Sequence, residues 1–285
     1  MKKGFTLAEV LITLGVIGVV AAITIPNLVK NYQKKAWTTQ LQKSYSMLEQ
    51  SFQKMLADDG VSKLSDTQVW ASKGTISCTF FGGYGSVSFL DDRCKDFLNN
   101  LKNYIKIIGV EKYGEDVYDL AKSAKTSFAS PNSTNKDAIS FILSDGTMFI
   151  FYTNNYPSSV DTETCNTIKS LGGNMCSRAG YLYIDVNGRK GPNTFGRDIF
   201  YFEISDDGKL YPNTGKDHAI YSDHRTALSS NGVYWRNNFS YCGAPDSDAL
   251  QEEGVSNGSG GTYTRYVSGV GCAARIMENG WKMDY

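Results

Sequence analysis

The chain has 285 residues, enough to bury a core of ordinary size in one large domain or two small ones. It carries 29 basic and 29 acidic residues, so its overall charge gives no indication of nucleic acid or of a strongly charged protein as a partner. Tyrosine, phenylalanine and glycine number 18, 14 and 28 and proline only 6, a balance that suits aromatic strands joined by glycine turns and excludes general disorder.

An apolar segment runs from Phe5 to Val29, and Glu9 is its single charged residue. At about 1.5 Å per residue, its roughly 25 residues reach about 37 Å as a helix, which is enough to cross a hydrocarbon core of about 30 Å. No second apolar run of comparable length follows. We therefore expect one membrane crossing. Because lysines stand on both sides of the segment, charge alone does not settle its orientation.

An ordinary secretory signal peptide is the alternative interpretation, since such peptides also have a basic start and end at small residues such as Ala21 and Ala22. The apolar run is longer than the roughly 7 to 15 residues usual for them. It also contains a carboxylate, which costs roughly 2.5 to 3.5 kcal/mol at the centre of a bilayer on insertion scales. Both features favour a retained membrane helix in which the acid has a role.

The opening residues, M-K-K-G followed by F-T-L-A-E-V-L-I, resemble the prepilin leader of type IV pilins and type II secretion pseudopilins. This resemblance, over roughly the first 30 residues, implies that a prepilin peptidase cuts between Gly4 and Phe5 and methylates the new amino group of Phe5. Glu9 would then pair with the Phe5 amino group of a neighbouring subunit, because an intramembrane carboxylate needs a cation. The resemblance further implies that the helix loosens on assembly near three residues: Gly15, Gly18 and Pro26.

The helical pattern continues beyond the apolar segment, with residues three or four apart along one face: Trp37, Leu41, Tyr45, Leu48, Phe52 and Leu56. Asp58-Asp59-Gly60 then ends it, which predicts one helix from Phe5 to about Ala57. The predicted organisation is a leader at 1–4, a transmembrane and assembly helix at 5–29, an amphipathic continuation at 30–57 and a globular head at 58–285.

A second helix is predicted from about Asp92 to Ile108, with Asp91 or Asp92 as its N-cap and Gly109 as its stop. The remaining elements are five predicted strands. Ile139–Leu143 and Thr147–Tyr152 flank the turn Asp145-Gly146, and Ile199–Ile204 and Lys209–Tyr211 flank the turn Asp207-Gly208. The fifth strand is Tyr181–Val186. Segments 123–136 and 212–261 are predicted surface loops. The fold class is α+β: a pilin fold with its long helix on an antiparallel sheet and with disulfide-closed loops.

Six cysteines follow the long helix, an even number that predicts three disulfides in an oxidising compartment. Many connectivities are formally open, and pairing of neighbours in sequence gives three loops of modest size: Cys78–Cys94, Cys165–Cys176 and Cys242–Cys272. The last pair resembles the C-terminal disulfide-bounded region of many pilins. Zinc is disfavoured because there is no C-x-x-C pair and the two histidines stand far from the cysteines in sequence.

Oxygen-bearing side chains cluster at one glycine-rich stretch: Asp185, Asn187, Asn193 and Asp198. These are hard ligands of the kind that calcium prefers, and some pseudopilins carry calcium in a loop after their sheet. Asn, Gly and Asp are also ordinary turn residues, and the stretch does not match an EF-hand loop. The turn interpretation is favoured; no cofactor is required, and calcium is kept as the alternative.

Residue patterns for nucleophilic, metal-dependent or phosphate-binding catalysis are absent from the sequence, so we expect no enzyme and no catalytic residues. The expected function is a structural subunit, either a minor or major pilin or a pseudopilin. Its expected partners are the prepilin peptidase, like or related subunits, the inner membrane and an assembly platform, with no nucleic acid indicated. We expect a single-pass inner-membrane protein with a periplasmic head, which later joins a pilus or pseudopilus. An adhesive or ligand-binding minor pilin and an anchored periplasmic enzyme are the alternatives.

Overall fold

The structure is a computed structural model that describes residues 6–72, 77–79, 86–88, 92–112, 139–159, 177–188, 190–212, 242, 252–256, 262–266 and 271–285. It has the expected α+β architecture, with one long N-terminal helix and a six-stranded antiparallel sheet.

The first helix, α1, runs without interruption from Leu7 to Asp59, a length of 53 residues or roughly 80 Å. The hydroxyl of Thr6 caps its N-terminus. Gly60 ends it with φ of 65°, a left-handed conformation that favours glycine. The single long helix predicted from the apolar periodicity is confirmed, together with its stop signal.

The main sheet has its strands in chain order, so each strand pairs antiparallel with the next. Its strands are β3 (Ile107–Lys112), β4 (Ile139–Leu143), β5 (Met148–Ser159), β6 (Ser177–Asp185), β7 (Ile199–Ser205) and β8 (Leu210–Pro212). Two smaller pairs are β1 (Ser77–Thr79) with β2 (Ser86–Ser88), which is parallel, and β9 (Glu252–Ser256) with β10 (Thr262–Tyr266), which is antiparallel. Short helices are α2 (Gln68–Ala71), α3 (Asp92–Leu101) and α4 (Cys272–Glu278).

The second half of α1 lies against the sheet and forms the spine of the core. Its buried residues are Thr38, Leu41, Ser44, Leu48, Ser51, Phe52, Met55 and Leu56. The Phe52 ring meets Phe151 edge-on at 6.5 Å between centroids and Trp70 at 5.7 Å. Nearer the apolar half of α1, the Tyr45 ring lies 5.7 Å from Phe202. Aromatic pairs of this kind add to the area that they bury.

Hydrogen bonds connect the turns at the two ends of the sheet to α1. Asp145, in the β4–β5 turn, accepts hydrogen bonds from Gln40 at 2.7 Å and from Lys43 at 2.6 Å. Burial alone would raise the pKa of Asp145, but the hydrogen bonds from Lys43, Thr147 and Gln40 outweigh it and lower that pKa to about 2. At the far end, Gln53 donates to the carbonyl of Asp207 at 2.8 Å.

The close approach of the β7–β8 turn to α1 depends on a glycine. Gly208, in the β7–β8 turn, has φ of 80°, and a Cβ atom there would lie only 2.8 Å from Nε2 of Gln53 and 3.0 Å from Leu56. Between the two ends, Glu49 accepts from the backbone N–H of Leu210 at 3.0 Å, which ties β8 to α1. The helix therefore sets the position of each end of the sheet.

The predicted second helix is too long and needs correction. Helix α3 ends at Leu101, and Ile108 and Gly109 lie in strand β3, where Ile108 is 61% exposed instead of lying on a buried helical face. A run of β-branched residues through Ile107, Ile108 and Val110 favours the strand. Gly109 marks a register irregularity against β4 and does not stop the helix.

The other predicted strands are confirmed; the largest difference is at β5, which extends to Ser159 instead of Tyr152. The interpretation of 212–261 as loop is wrong at Pro212, which ends β8, and at β9, which pairs with β10. Apart from Cys242, the remainder of that segment and all of 123–136 lie outside the described residues. Cys242 and Cys272 form a disulfide, the pairing expected from the sequence, and Cys94 is also disulfide-bonded. The partner of Cys94, like the pair Cys165–Cys176, lies outside the side chains that the structure describes.

Replacement of Phe52 by alanine should destabilise the head strongly, because the ring is fully buried between α1, α2 and the sheet. The expected loss is about 3 to 5 kcal/mol of unfolding free energy, measured by denaturant titration of the detergent-solubilised chain. Tyr32→Ala, on the same helix but at a ring that is 74% exposed, is the matched control and should change stability by no more than about 0.5 kcal/mol. Equal effects of the two substitutions would show that α1 is not the spine of the core.

Candidate functional site

The first half of α1 has no protein packed against it in the described part of the chain. Its large apolar residues are 41 to 78% exposed, and they are Leu7, Val10, Leu11, Ile12, Leu14, Val16, Ile17, Val19, Val20, Ile23, Ile25, Leu28 and Val29. They occur on all sides of the helix, whereas a helix that contacts one partner has a single apolar stripe. Among the described residues, this is the one helix long and apolar enough to cross a membrane. It requires lipid, other helices, or both.

The few polar side chains of this half are already satisfied within the helix. The Thr13 hydroxyl donates to the carbonyl of Glu9 at 2.9 Å, and the Thr24 hydroxyl donates to the carbonyl of Val20 at 2.8 Å. Such bonds leave no hydroxyl to be solvated, so the segment is compatible with a hydrocarbon environment.

Glu9 is engaged in a capping box with Thr6. One Glu9 carboxylate oxygen, Oε2, accepts from the backbone N–H of Thr6 at 2.8 Å and from its hydroxyl at 2.9 Å, while Thr6 Oγ1 accepts from the Glu9 N–H at 3.2 Å. This arrangement satisfies backbone donors that the first turn of a helix otherwise leaves unpaired. The sequence pattern T-x-x-E at 6–9 is the known signal for this motif. The capping role of Glu9 could therefore have been predicted from the sequence, in addition to its pairing with an amino group.

Gly15 and Gly18 have open space around them: a Cβ atom at either position would meet nothing within 4 Å. No contact with the described part of the chain therefore requires these two glycines. Small residues in membrane helices let a second helix approach closely. Pro26 lies inside α1, which continues through it, and cannot donate the usual backbone hydrogen bond. Phe5 and Gly4, the residues of the expected cleavage site, lie outside the described residues.

The loop between β6 and β7 brings together the four oxygen-bearing residues found in the sequence. Asp198 is fully buried, and its two carboxylate oxygens accept from the backbone N–H groups of Asn193 at 2.8 Å and Thr194 at 2.7 Å. Asp185 accepts from the backbone N–H of Asn187 at 3.2 Å. Burial raises the pKa of Asp198 despite these hydrogen bonds. The carboxylates therefore close the loop on itself.

A cation is not needed to explain this loop. Each Asp198 oxygen already binds a backbone N–H, and the described residues contain no group of three or more His, Cys, Asp or Glu side chains able to hold a metal. One feature favours a cation: Oδ1 of Asn187 is buried without a hydrogen-bond partner. The hydrogen bonds account for both carboxylates without a cation, and calcium binding by Asp185, Asn187, Asn193 and Asp198 stays a prediction.

The C-terminal residues anchor this loop, which the sequence analysis did not predict. The hydroxyl of Tyr285 donates to the carbonyl of Gly196 at 2.7 Å. Asp284 accepts from Arg275 of α4 at 2.8 Å, and the Arg275 guanidinium lies 5.1 Å from the Tyr285 ring centroid. The Trp281 ring packs 5.3 Å from Tyr45 on α1. These contacts join residues far apart in sequence, so no local pattern predicts them.

Comparison with known proteins identifies the N-terminal segment. Residues 1–25 match the family described as the prokaryotic N-terminal methylation motif, the signature of type IV pilins and pseudopilins. No curated protein and no solved structure matches the chain. The motif confirms the resemblance found in the opening residues. It implies processing by a prepilin peptidase and assembly with related pilin subunits, and the apolar helix fits a single-pass membrane anchor as in pilins.

Asp198→Asn should lower the melting temperature, because an amide offers one oxygen where two backbone N–H groups now bind a carboxylate, and an unpaired buried donor costs about 1 to 3 kcal/mol. If the loop closes on itself, removal of calcium with a chelator and its readdition should leave the wild-type melting temperature unchanged. A melting temperature that rises with added calcium in the wild type, but not in Asp198→Asn, would contradict the turn interpretation and place a calcium ion here.

Proposed function

We propose that this chain is a structural subunit of a type IV pilus or a type II secretion pseudopilus. A prepilin peptidase cuts it between Gly4 and Phe5, methylates Phe5, and the mature chain polymerises through the helix at 5–29. One observation supports this above all others: the methylation motif covers the bare half of a helix whose other half is the spine of a folded head. The role is assembly, not catalysis.

The exposure of α1 supports polymerisation through this helix. In a single subunit the apolar side chains of residues 7–29 must be covered by lipid, and in a filament they are covered by the same helices of neighbouring subunits. Lipid is as apolar as these side chains, so the exchange depends on close packing between helices and on specific polar pairs. Gly15 and Gly18 would permit the close packing, because no described residue of the subunit fills the space beside them.

Glu9 supplies the polar pair in this proposal. Before assembly its carboxylate is satisfied by Thr6 of the same chain. In the filament it would exchange that contact for the amino group of Phe5 on a neighbour, which removes the cost of an isolated charge in an apolar medium. The pair forms only at one axial offset between subunits, so it would set the register of the filament.

The proposed location follows from the anchor and the cysteines. The helix holds the precursor in the inner membrane, and the head folds in the periplasm, where the Cys242–Cys272 disulfide can form and persist. An assembly platform in that membrane would then transfer the subunit into a pilus or pseudopilus.

Three substitutions separate the charge of Glu9 from its capping role. Glu9→Gln keeps a capping-box side chain but removes the charge, and Glu9→Ala removes both. If the ion pair sets the register, each precursor should insert and be cut normally, but filament incorporation should fall at least tenfold in both, measured by immunoblot of sheared filaments. Glu9→Asp, which keeps the charge on a shorter side chain, should be partly competent.

Thr6→Val is the matched control, because it removes the hydroxyl from the capping box and leaves the carboxylate in place. It should assemble better than Glu9→Gln. Normal incorporation of Glu9→Gln together with failure of Thr6→Val would show that helix capping, and not the ion pair, is what assembly requires.

A further inference from the structure

Basic residues are concentrated in one part of this electrically balanced chain. No acidic residue stands between Glu9 and Glu49, while Lys30, Lys34, Lys35 and Lys43 all fall in that interval. The first three follow the last apolar residue of the bare half of α1. A strictly basic stretch beside a membrane segment is a local feature that the overall charge does not reveal.

Two of these lysines lie on the face of α1 that packs against the head. At about 100° per residue, Lys30 and Lys34 lie on the same face as Trp37 and Leu41, which pack on the head. Lys34 is half-buried, and its charge, after the stronger effect of the Arg275 hydrogen bond, helps to lower the pKa of Asp284. The helix face that packs on the core is therefore basic where it approaches the apolar segment, at Lys30 and Lys34.

Three segments of the head come together at this end of it: the β4–β5 turn, the β6–β7 loop and the C-terminal residues. The β4–β5 turn contacts α1 through Asp145 and Lys43, and a Cβ atom at Gly188 would lie 2.6 Å from the carbonyl of Gly146, so the β6–β7 loop lies directly on that turn. The C-terminal residues bind the same loop through Tyr285. The described residues at the end of the head nearest the bare helix are therefore 144–147, 186–188, 190–198 and 281–285.

Among the described residues of these loops, three basic and two acidic side chains reach the surface, and both acids are paired with a basic residue. Lys190 and Lys282 are exposed and Arg197 is half-exposed. The acids of the same loops are engaged or buried: Asp145 pairs with Lys43, Asp284 pairs with Arg275, and Asp185 and Asp198 are buried. We call this surface the basic underside; it consists of Lys30, Lys34, Lys190, Arg197 and Lys282.

The basic underside lies within electrostatic range of a bilayer that contains the bare helix. From Val29 to the first buried residues of α1, Thr38 and Leu41, the helix rises roughly 14 to 18 Å. The headgroup layer takes up about 5 to 7 Å of that rise, which leaves a gap close to the Debye length of about 8 to 10 Å in physiological salt. Tyr32, 74% exposed, falls in the interval where amphipathic aromatic side chains contact headgroups.

We propose that the basic underside binds the anionic headgroups of the membrane that holds the subunit before assembly, and so fixes the head upright on the bilayer. This rests on the membrane anchoring in the proposed function but not on polymerisation. A second copy of the chain is the less suitable occupant, because the opposite end of the head is mixed in charge, with Lys54 paired to Asp58 and Lys209 to Asp207.

Lysine acylation in nanodiscs tests the proposal with an internal control. The full mature chain is reconstituted at one copy per disc, in phosphatidylcholine alone or in equal parts of phosphatidylcholine and phosphatidylglycerol, and acylation rates are read by mass spectrometry. Lys282 should react about fivefold more slowly in the anionic discs, the factor expected for one lysine near an anionic surface. Lys209, equally exposed at the opposite end, should react at the same rate in both discs.

The protection of Lys282 should disappear in about 1 M salt, where the Debye length is about 3 Å, and should weaken in Lys190→Glu but not in Lys63→Glu at the far end. Equal Lys282 rates in the two lipids would overturn the proposal. Protection that appears only when several copies share a vesicle would overturn it as well, and would assign the surface to a neighbouring subunit. Flotation of the chain with vesicles of the same lipids is measured separately. A chain that fails to float with them would show that the apolar segment does not anchor it in the membrane.

Discussion

Helix α1 is subject to two incompatible solvation requirements along its length. Its second half is buried by a sheet, whereas residues 7–29 expose apolar side chains on every side. Burial of such side chains is the dominant favourable contribution to folding and association, and no described residue of the head supplies it for the first half. In the proposed function, the subunit needs a hydrocarbon medium when it is alone and other helices when it leaves that medium. The capped acid at its start and the open space beside its two glycines would serve this exchange.

The head is arranged so that the helix determines its orientation. The β4–β5 turn and the β6–β7 loop lie at the end nearest the membrane segment, and the β7–β8 turn lies at the other end, each held to α1 or to a neighbouring loop by side-chain contacts. The C-terminal residues close the proximal end through Tyr285 and Trp281. These contacts therefore fix the position of both ends of the sheet along α1.

Local patterns were sufficient to predict the parts of the fold that local physics decides. Gly60 stops α1 and the Asp145-Gly146 turn joins β4 to β5, as expected from residues that favour left-handed conformations and tight turns. The helix predicted through Ile108 was wrong because its spacing also suits a short helix followed by a strand, and β-branched residues decide for the strand. The role of Asp198 was ambiguous in sequence, since the same oxygens serve backbone hydrogen bonds and cations. The contact of Tyr285 with Gly196 depends on tertiary packing and could not be predicted from either segment alone.

The central claim is that the apolar segment is retained as an assembly helix after a cut at its start. Mass spectrometry of the N-terminus of the native protein tests it most directly. We expect the mature protein to begin at Phe5 with a methylated amino group and to contain all of α1. A chain that begins near Ile23, without the apolar half of the helix, would contradict it and would establish an ordinary signal peptide.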